Sequence, residues 1–341
     1  MAKKIWLLAI ILLLSFVVTT NWHVISSITS NNFVRQPERT ITIGYSNWAG
    51  WWPWAIAESQ GLFAQHNANV ELKWYDDYSQ SMEDLAAGYI DGNCQTLNDT
   101  ISFAVDAVKG EVVVLVNDNS AGNDKIIAAA EIDGVKGLKN KQVAIEAGVV
   151  DDFLLTLALE EEGMSRNDVQ ILDIETGAAV EVFAAGQADA VGAFPPFWLT
   201  ALNREGAKEI TSSANFPGAI PDLLVVTEEL IQENPQQVQA LTDTWFDILD
   251  FMTRNPKQAD AIMANRAGVS YEQMELFKAG TKMFAIEENL EAFSQGSDMK
   301  HMPYAAIVIT NFLQEKLKII SKQPNLTKLF DPSFVKAHAI K

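Results

Sequence analysis

Short apolar runs alternate along this chain with longer stretches in which apolar residues recur every three or four positions. Ile41 to Gly44, Val70 to Trp74, Val112 to Val116, Val143 to Ile145, Val169 to Ile174, Ala188 to Ala193 and Leu223 to Thr227 have the length of strands. Ser81 to Gly88, Asp152 to Glu162 and Ala178 to Ala185 carry the period of amphipathic helices. That alternation predicts an α/β fold in which helices cover a mostly parallel sheet. From Pro235 onward the pattern is almost wholly helical, with Asn234-Pro235 and Asn255-Pro256 as helix starts and Pro303 and Pro324 as breaks. The chain shows no internal repeat and no low-complexity segment.

Composition alters this picture most at the end of the first run. Four of the nine tryptophans fall between Trp48 and Trp54, in Tyr45-Ser46-Asn47-Trp48-Ala49-Gly50-Trp51-Trp52-Pro53-Trp54. Gly50 and Pro53 make this a loop, and open α/β sheets present their ligand contacts at strand ends. Trp48, Trp51 and Trp52 are therefore candidates for a binding wall. The alternative is that the rings only cover an apolar flank, since tryptophan is often buried without touching a ligand. Trp54, which leads into the helix of Ala55 to Gln60, is assigned to the core.

Met1-Ala2-Lys3-Lys4 and the apolar run from Ile5 to Val18 have the charged start and short hydrophobic core of a secretory signal, so residues 1–30 read as an export signal. The run is short for a spanning helix. Thr19-Thr20-Asn21-Trp22 offers no Ala-x-Ala cleavage site, which leaves a retained anchor as the alternative. Cys94 is the single cysteine, which excludes an intramolecular disulfide and leaves stability to a large core. The length of 341 residues suggests two domains beyond the signal. An excess of 44 acidic over 25 basic residues argues against nucleic acid as a partner. His23, His66, His301 and His338 lack metal-ligand spacing, and no phosphate-binding glycine loop or Gly-x-Ser-x-Gly elbow is present. No metal, no cofactor and no catalysis are expected.

Ile43-Gly44-Tyr45 is followed by Ala57-Glu58-Ser59-Gln60-Gly61-Leu62-Phe63 and Leu85-Ala86-Ala87-Gly88-Tyr89-Ile90-Asp91. Then come Gly137-Leu138-Lys139-Asn140-Lys141-Gln142-Val143-Ala144, Gly186-Gln187-Ala188-Asp189-Ala190-Val191 and Asn234-Pro235. In this order and spacing, from Ile41 to Lys328, the chain resembles the periplasmic solute-binding proteins of the nitrate/sulfonate/taurine type, which serve ABC importers. The resemblance implies a two-lobed, type II periplasmic-binding-protein fold, with two parallel-rich sheets that close on a small molecule by a hinge. It also implies a periplasmic location and an ABC permease of the inner membrane as partner. Lobe 1 would comprise residues 41–122 and 222–341, and lobe 2 residues 123–221. The crossings would be Asn117 to Asp124 and Gly218 to Asp222, each with the Gly or Pro expected of a turn between lobes.

Such a fold turns several segments toward its cleft. Thr96-Leu97-Asn98-Asp99-Thr100 stands at the family's Ser/Thr-and-Asp loop and offers Asn98 and Asp99; the first crossing offers Asp118 and Ser120. At Ile145-Glu146-Ala147-Gly148-Val149-Val150-Asp151-Asp152-Phe153 a strand hands over to a helix, whose free N–H groups hold the anion in relatives. Here Asp151 and Asp152 occupy that start, and Asp152 aligns with the ligand-facing His or hydroxyl of relatives. Carboxylates at a helix start also act as caps, and that reading stays open beside the functional one. Gly192-Ala193-Phe194-Pro195-Pro196-Phe197-Trp198 stands where many relatives carry Trp-Glu-Pro. Phe194 supplies the ring, and Pro195 replaces the glutamate.

Glu146, Asp99 and Asp118 thus gather acid around the expected cleft, while Lys125 is the single basic residue of these segments. Rings on one wall and carboxylates on another suit a cation, through its attraction to the π faces and its N–H bonds to the acids. The expectation is a receptor for a small nitrogen-rich cation, with guanidine favoured over a quaternary ammonium, which has no N–H to donate. Nitrate, taurine, other sulfonates or bicarbonate are the alternative if the carboxylates merely cap helices. A further alternative is an enzyme akin to the thiamine-pyrimidine synthases of the same fold, which depend on a Cys- and His-containing motif that this chain lacks.

Overall fold

The computed structural model describes residues 39–341; the export signal expected at residues 1–30, and His23, lie outside them. Two sheets share one compact unit, Thr40–Lys341. The first has the order β11-β4-β10-β3-β1-β2, built from β1 (Ile41–Tyr45), β2 (Val70–Trp74), β3 (Gly92–Thr96), β4 (Glu111–Ser120), β10 (Pro221–Thr227) and β11 (Thr281–Met283). The second has the order β7-β6-β8-β5-β9, from β5 (Lys125–Ala128), β6 (Gln142–Ile145), β7 (Gln170–Asp173), β8 (Ala190–Ala193) and β9 (Lys208–Ser212).

Both sheets contain the same unit. A central strand is flanked by its next two successors in parallel, β2-β1-β3 in one and β7-β6-β8 in the other, with helices between them in sequence. The remaining strands are antiparallel, which makes both sheets mixed. The cause is topological. The chain leaves the first sheet along β4, enters the second along β5, departs along β9 and returns along β10, so each exit lies antiparallel to an entry. The passages are short: residues 121–124 join β4 to β5, and a 3₁₀ turn at Ser213–Asn215 with residues 216–220 joins β9 to β10.

The apolar runs read as strands all lie in strands, and the three amphipathic stretches in helices Tyr78–Ala86, Val150–Glu161 and Thr176–Ala184. Four strands escaped the pattern, of which β3 is the most instructive. Gly92-Asn93-Cys94-Gln95-Thr96 is fully buried yet mostly polar, because its amides bond inside the core: Asn93 Nδ2 donates to Ser81 Oγ at 2.9 Å, and Gln95 Nε2 to Thr100 Oγ1 at 3.2 Å and Glu111 Oε2 at 3.1 Å. Past Pro235 the chain is mostly helical, broken by β11 and by irregular stretches at residues 293–301 and 318–332, and Pro235 and Pro256 stand at helix starts. Pro303 also opens a helix, Met302–Phe312, where the missing N–H costs nothing, so it is a start and not a break. Trp54 belongs to the core, stacked 6.2 Å from Phe63 and 5.0 Å from Trp245.

Candidate ligand-binding site

The carboxyl ends of β1, β3, β6 and β8 feed one small cavity between the two sheets, about 10 Å³, room for little more than a water molecule. Beyond Tyr45 the chain runs through consecutive turns, with Trp51 N donating to Trp48 O at 3.0 Å and Trp54 N to Trp51 O at 3.0 Å. A three-residue spacing in such turns puts side chains on one face. Trp48 and Trp51 accordingly both line the cavity, their ring centroids 6.3 Å apart. Phe194, from the other sheet, meets Trp48 edge-on at 6.5 Å, and Tyr78 lies 5.3 Å from Trp51. Trp52, one position round from Trp51, is turned the other way. It is fully buried against Phe277 at 5.7 Å and does not line the cavity, which corrects its assignment to the binding wall.

Carboxyls gather at the same place. Asp118 is fully buried, and its Oδ1 accepts from Trp48 Nε1 at 3.0 Å. Gly50 makes room for it, since a Cβ there would stand 1.8 Å from Asp118 Oδ2. Asp222 faces Asp118 across the β4–β10 ladder. Burial raises Asp118 to about 7, partly offset by the Trp48 bond, and burial together with the Asp118 charge holds Asp222 well above the carboxylate range. Asp124 is pushed up to about 6 by burial, against the pull of the Ser120 hydroxyl and the Lys125 charge. Asp151, behind the lining residue Val150, is raised well above its ordinary value by burial and then by Asp124. Asp124 Oδ2, Asp151 Oδ1 and Asn47 Oδ1 are buried with no donor. Among the described residues no Lys or Arg lines the cavity. Lys125, beside it in sequence, pairs with Glu209 and lies 5.2 Å from the Trp198 ring.

The other expected site residues fall into two groups. Asp99 supports the wall without lining it: it accepts from Tyr78 Oη at 3.0 Å, Thr96 Oγ1 at 2.7 Å and Asn98 Nδ2 at 2.7 Å, and burial raises it to about 7. Glu146 accepts from Ser79 Oγ, which joins the two sheet layers, and burial raises it too. Asn98 serves Asp99, and Ser120 bonds Ser213 Oγ at 2.7 Å across the two passages; neither lines the cavity. Asp152, expected to face the ligand, points elsewhere. Arg166 Nε donates to both its oxygens at 2.8 and 3.1 Å, and Gly148 N at 3.0 Å, so it anchors the start of the Val150–Glu161 helix. Its charge is consumed locally, whereas the adjacent Asp151 keeps an oxygen free.

Sequence reasoning missed Tyr78, Asp124, Asp222, Asn47 and Val150 as cavity-forming residues. Asp124 and Asp222 sit at the ends of the expected crossings, where position alone could have suggested them. Tyr78 starts a helix and carries no such signal. Among the described residues no group of three or more His, Cys, Asp or Glu side chains converges as a metal ion's ligands would, and no helix is long and apolar enough to cross a membrane.

Comparison with known proteins matches residues 35–267 to the profile of the NMT1-like family. A binding protein of Brucella abortus is 27% identical over 247 residues, 71% of this chain and 76% of the relative. The taurine-binding periplasmic protein of Escherichia coli is 22% identical over 221 residues, 63% of this chain and 67% of its own. Among solved structures, the alkanesulfonate-binding protein SsuA of Xanthomonas axonopodis, bound to MOPS, superimposes with a TM-score of 0.70 at 18% identity, covering 86% of this chain and 98% of its own. The desulfurization enzyme DSZB shares the fold at a TM-score of 0.60 and 14% identity, over 88% of this chain and 99% of its own.

Proposed function

The chain belongs to the NMT1-like family, and from that premise and the cleft we propose that it is the solute-binding component of an ABC importer for a small nitrogen-rich organic cation, guanidine favoured. The observation that carries the reading is a cavity with aromatic walls, buried carboxyl oxygens that have no donor and, among the described residues, no lining Lys or Arg. Unpaired buried acids are costly, and a ligand that brings both positive charge and N–H groups removes that cost. In this reading a planar guanidinium enters as the sheets part, lies against the Trp48 and Phe194 rings, which close on each other edge-on at 6.5 Å without it, and gives N–H bonds to Asp124, Asn47 and the Asp118–Asp222 pair. The absence of a convergent metal-ligand group among the described residues favours an organic cation over a metal ion.

In this reading the two sheets are the cores of two lobes, residues 41–122 with 222–341 and residues 123–221. They rock about the passages at 121–124 and 213–220, and the Ser79–Glu146 bond forms on closure. The protein is exported by its N-terminal segment and delivers its ligand to a membrane permease without chemical change. A second reading has one specific support. Relatives are named for taurine and sulfonates, and carboxyls raised toward neutrality can hold protons and donate to an anion. A thermal-shift screen with guanidine, agmatine, choline, taurine, nitrate and bicarbonate separates the two. A ligand at a hundredfold excess over Kd adds about 2.7 kcal/mol of stability. A shift with guanidine or agmatine and none with taurine or nitrate is expected; the reverse pattern would replace the cation reading by the anion one.

A further inference from the structure

A second cavity lies at the passages between the sheets, with about 300 Å³ of room, against about 10 Å³ in the cleft. Ser120 at the end of β4, Ala121 of the first passage, and Ser213 and Pro217 of the second form one wall. The hydroxyls there are occupied: they bond each other at 2.7 Å, Ser213 Oγ accepts from Gly122 N at 2.7 Å, and Ser120 Oγ accepts from Asp124 N at 3.2 Å. The facing wall is apolar. Phe284 and Met302 are buried, and Met299 packs beside Gly218, where a Cβ would stand 3.2 Å from the Met299 Cβ.

Two exposed lysines, Lys282 and Lys300, also line this hollow, and neither has an ion pair. Lys282 Nζ lies 5.3 Å from the centroid of the Phe284 ring. Asp298, the acid next in sequence to this wall, is taken by His301 Nδ1 at 2.9 Å and the Lys300 backbone N–H at 3.0 Å. In a chain of net charge −19, two unpaired ammonium groups over an apolar hollow define a charge and a shape. The lysines select an anionic head, and the phenyl and thioether groups select an apolar body, which is the pattern of a small-molecule site.

We infer that this cavity is a second binding site, for a small amphiphilic anion with a medium-length apolar chain and one carboxylate head held between Lys282 and Lys300. The site stands on this cavity alone and does not depend on what the cleft binds. Both passages line it, so an occupant also props the segments through which any movement between the sheets must pass.

Calorimetric titration of the full chain with sodium octanoate tests the inference, with 1-octanol as the uncharged probe of equal length. One octanoate per chain is expected, with affinity at least about tenfold lower in the double variant Lys282→Ala/Lys300→Ala, from two solvent-facing charge contacts of about threefold to fivefold each. Lys282→Arg/Lys300→Arg should retain most of the affinity. Ala214→Glu, an exposed change that adds a negative charge to the wall, should abolish binding, and Trp48→Ala in the cleft should leave it unchanged. Both lysines are exposed, so folding is kept, and the melting temperature of each variant verifies it. Absence of saturable octanoate binding, equal affinity in the double alanine variant, or octanol binding as tightly as octanoate would overturn the site.

Discussion

On the proposed cation reading, acidification should weaken capture by the cleft steeply. The cation needs Asp118 and Asp124 ionised, and burial has raised them to about 7 and about 6. With those values about nine-tenths of molecules carry both charges at pH 8 and about one in a thousand at pH 5, a loss of about 1,000-fold in affinity. Opening of the cleft hydrates the carboxyls and brings them toward their ordinary range, so this figure is a ceiling; about tenfold is the smallest loss the reasoning survives. The sign is fixed by charge. A cation favours the ionised acids and displaces their protons, whereas an anion needs those protons and binds more tightly as pH falls. Titration with guanidinium at pH 6, in two buffers of different ionisation enthalpy, should show release of up to about 1.4 protons per ligand. Proton uptake, or an affinity flat between pH 5 and 8, would refute the reasoning.

The same acids govern the ligand-free protein. Their folded values lie above the unfolded ones, so the native state binds more protons between about pH 4 and 7, and the melting temperature should fall by several degrees from pH 5 to pH 8, with guanidinium reversing the fall. Gly50→Ala drives a methyl to within 1.8 Å of Asp118 Oδ2; it should cost about 1–3 kcal/mol in denaturant unfolding and, by displacing the carboxylate from Trp48, reduce ligand affinity. Trp48→Ala and Trp51→Ala, both rings being buried, should cost stability and also weaken binding, whereas Trp52→Ala should lose about 3–5 kcal/mol of stability and keep its ligand, a split read by paired calorimetric titration and unfolding. Asp152→Asn should lower stability by about 1–3 kcal/mol through its Arg166 contact and leave affinity near wild type, whereas Asp124→Asn should cost at least about tenfold in affinity.

The fold class was legible because burial on two faces leaves a continuous apolar run, as in Val112 to Val116 and Leu223 to Val226, while burial on one face leaves an alternating one, as in Val70 to Trp74. Strand β3 was not, since its Asn93 and Gln95 are buried by bonding partners, Ser81, Thr100 and Glu111, that lie far along the chain or on another element. That the Trp loop reaches the cavity could be expected from its place after β1. Which of its rings face the cleft could not, because Trp51 and Trp52 differ only by the rotation of one residue through a run of turns.

The acidic character of the site followed from sequence, and its division of labour did not. Adjacent residues Asp151 and Asp152 are chemically the same, yet Arg166 claims one and the other is left facing Asp124. Asp118 and Asp222 stand 104 positions apart in number and become partners only through the antiparallel β4–β10 register. Composition and periodicity determine which segments are buried and where strands end, since these depend on each residue's own solvation and on near neighbours. Which carboxyl is neutralised and which is left for a ligand depends on contacts a few ångströms long between segments distant in the chain, and only the tertiary structure decides those.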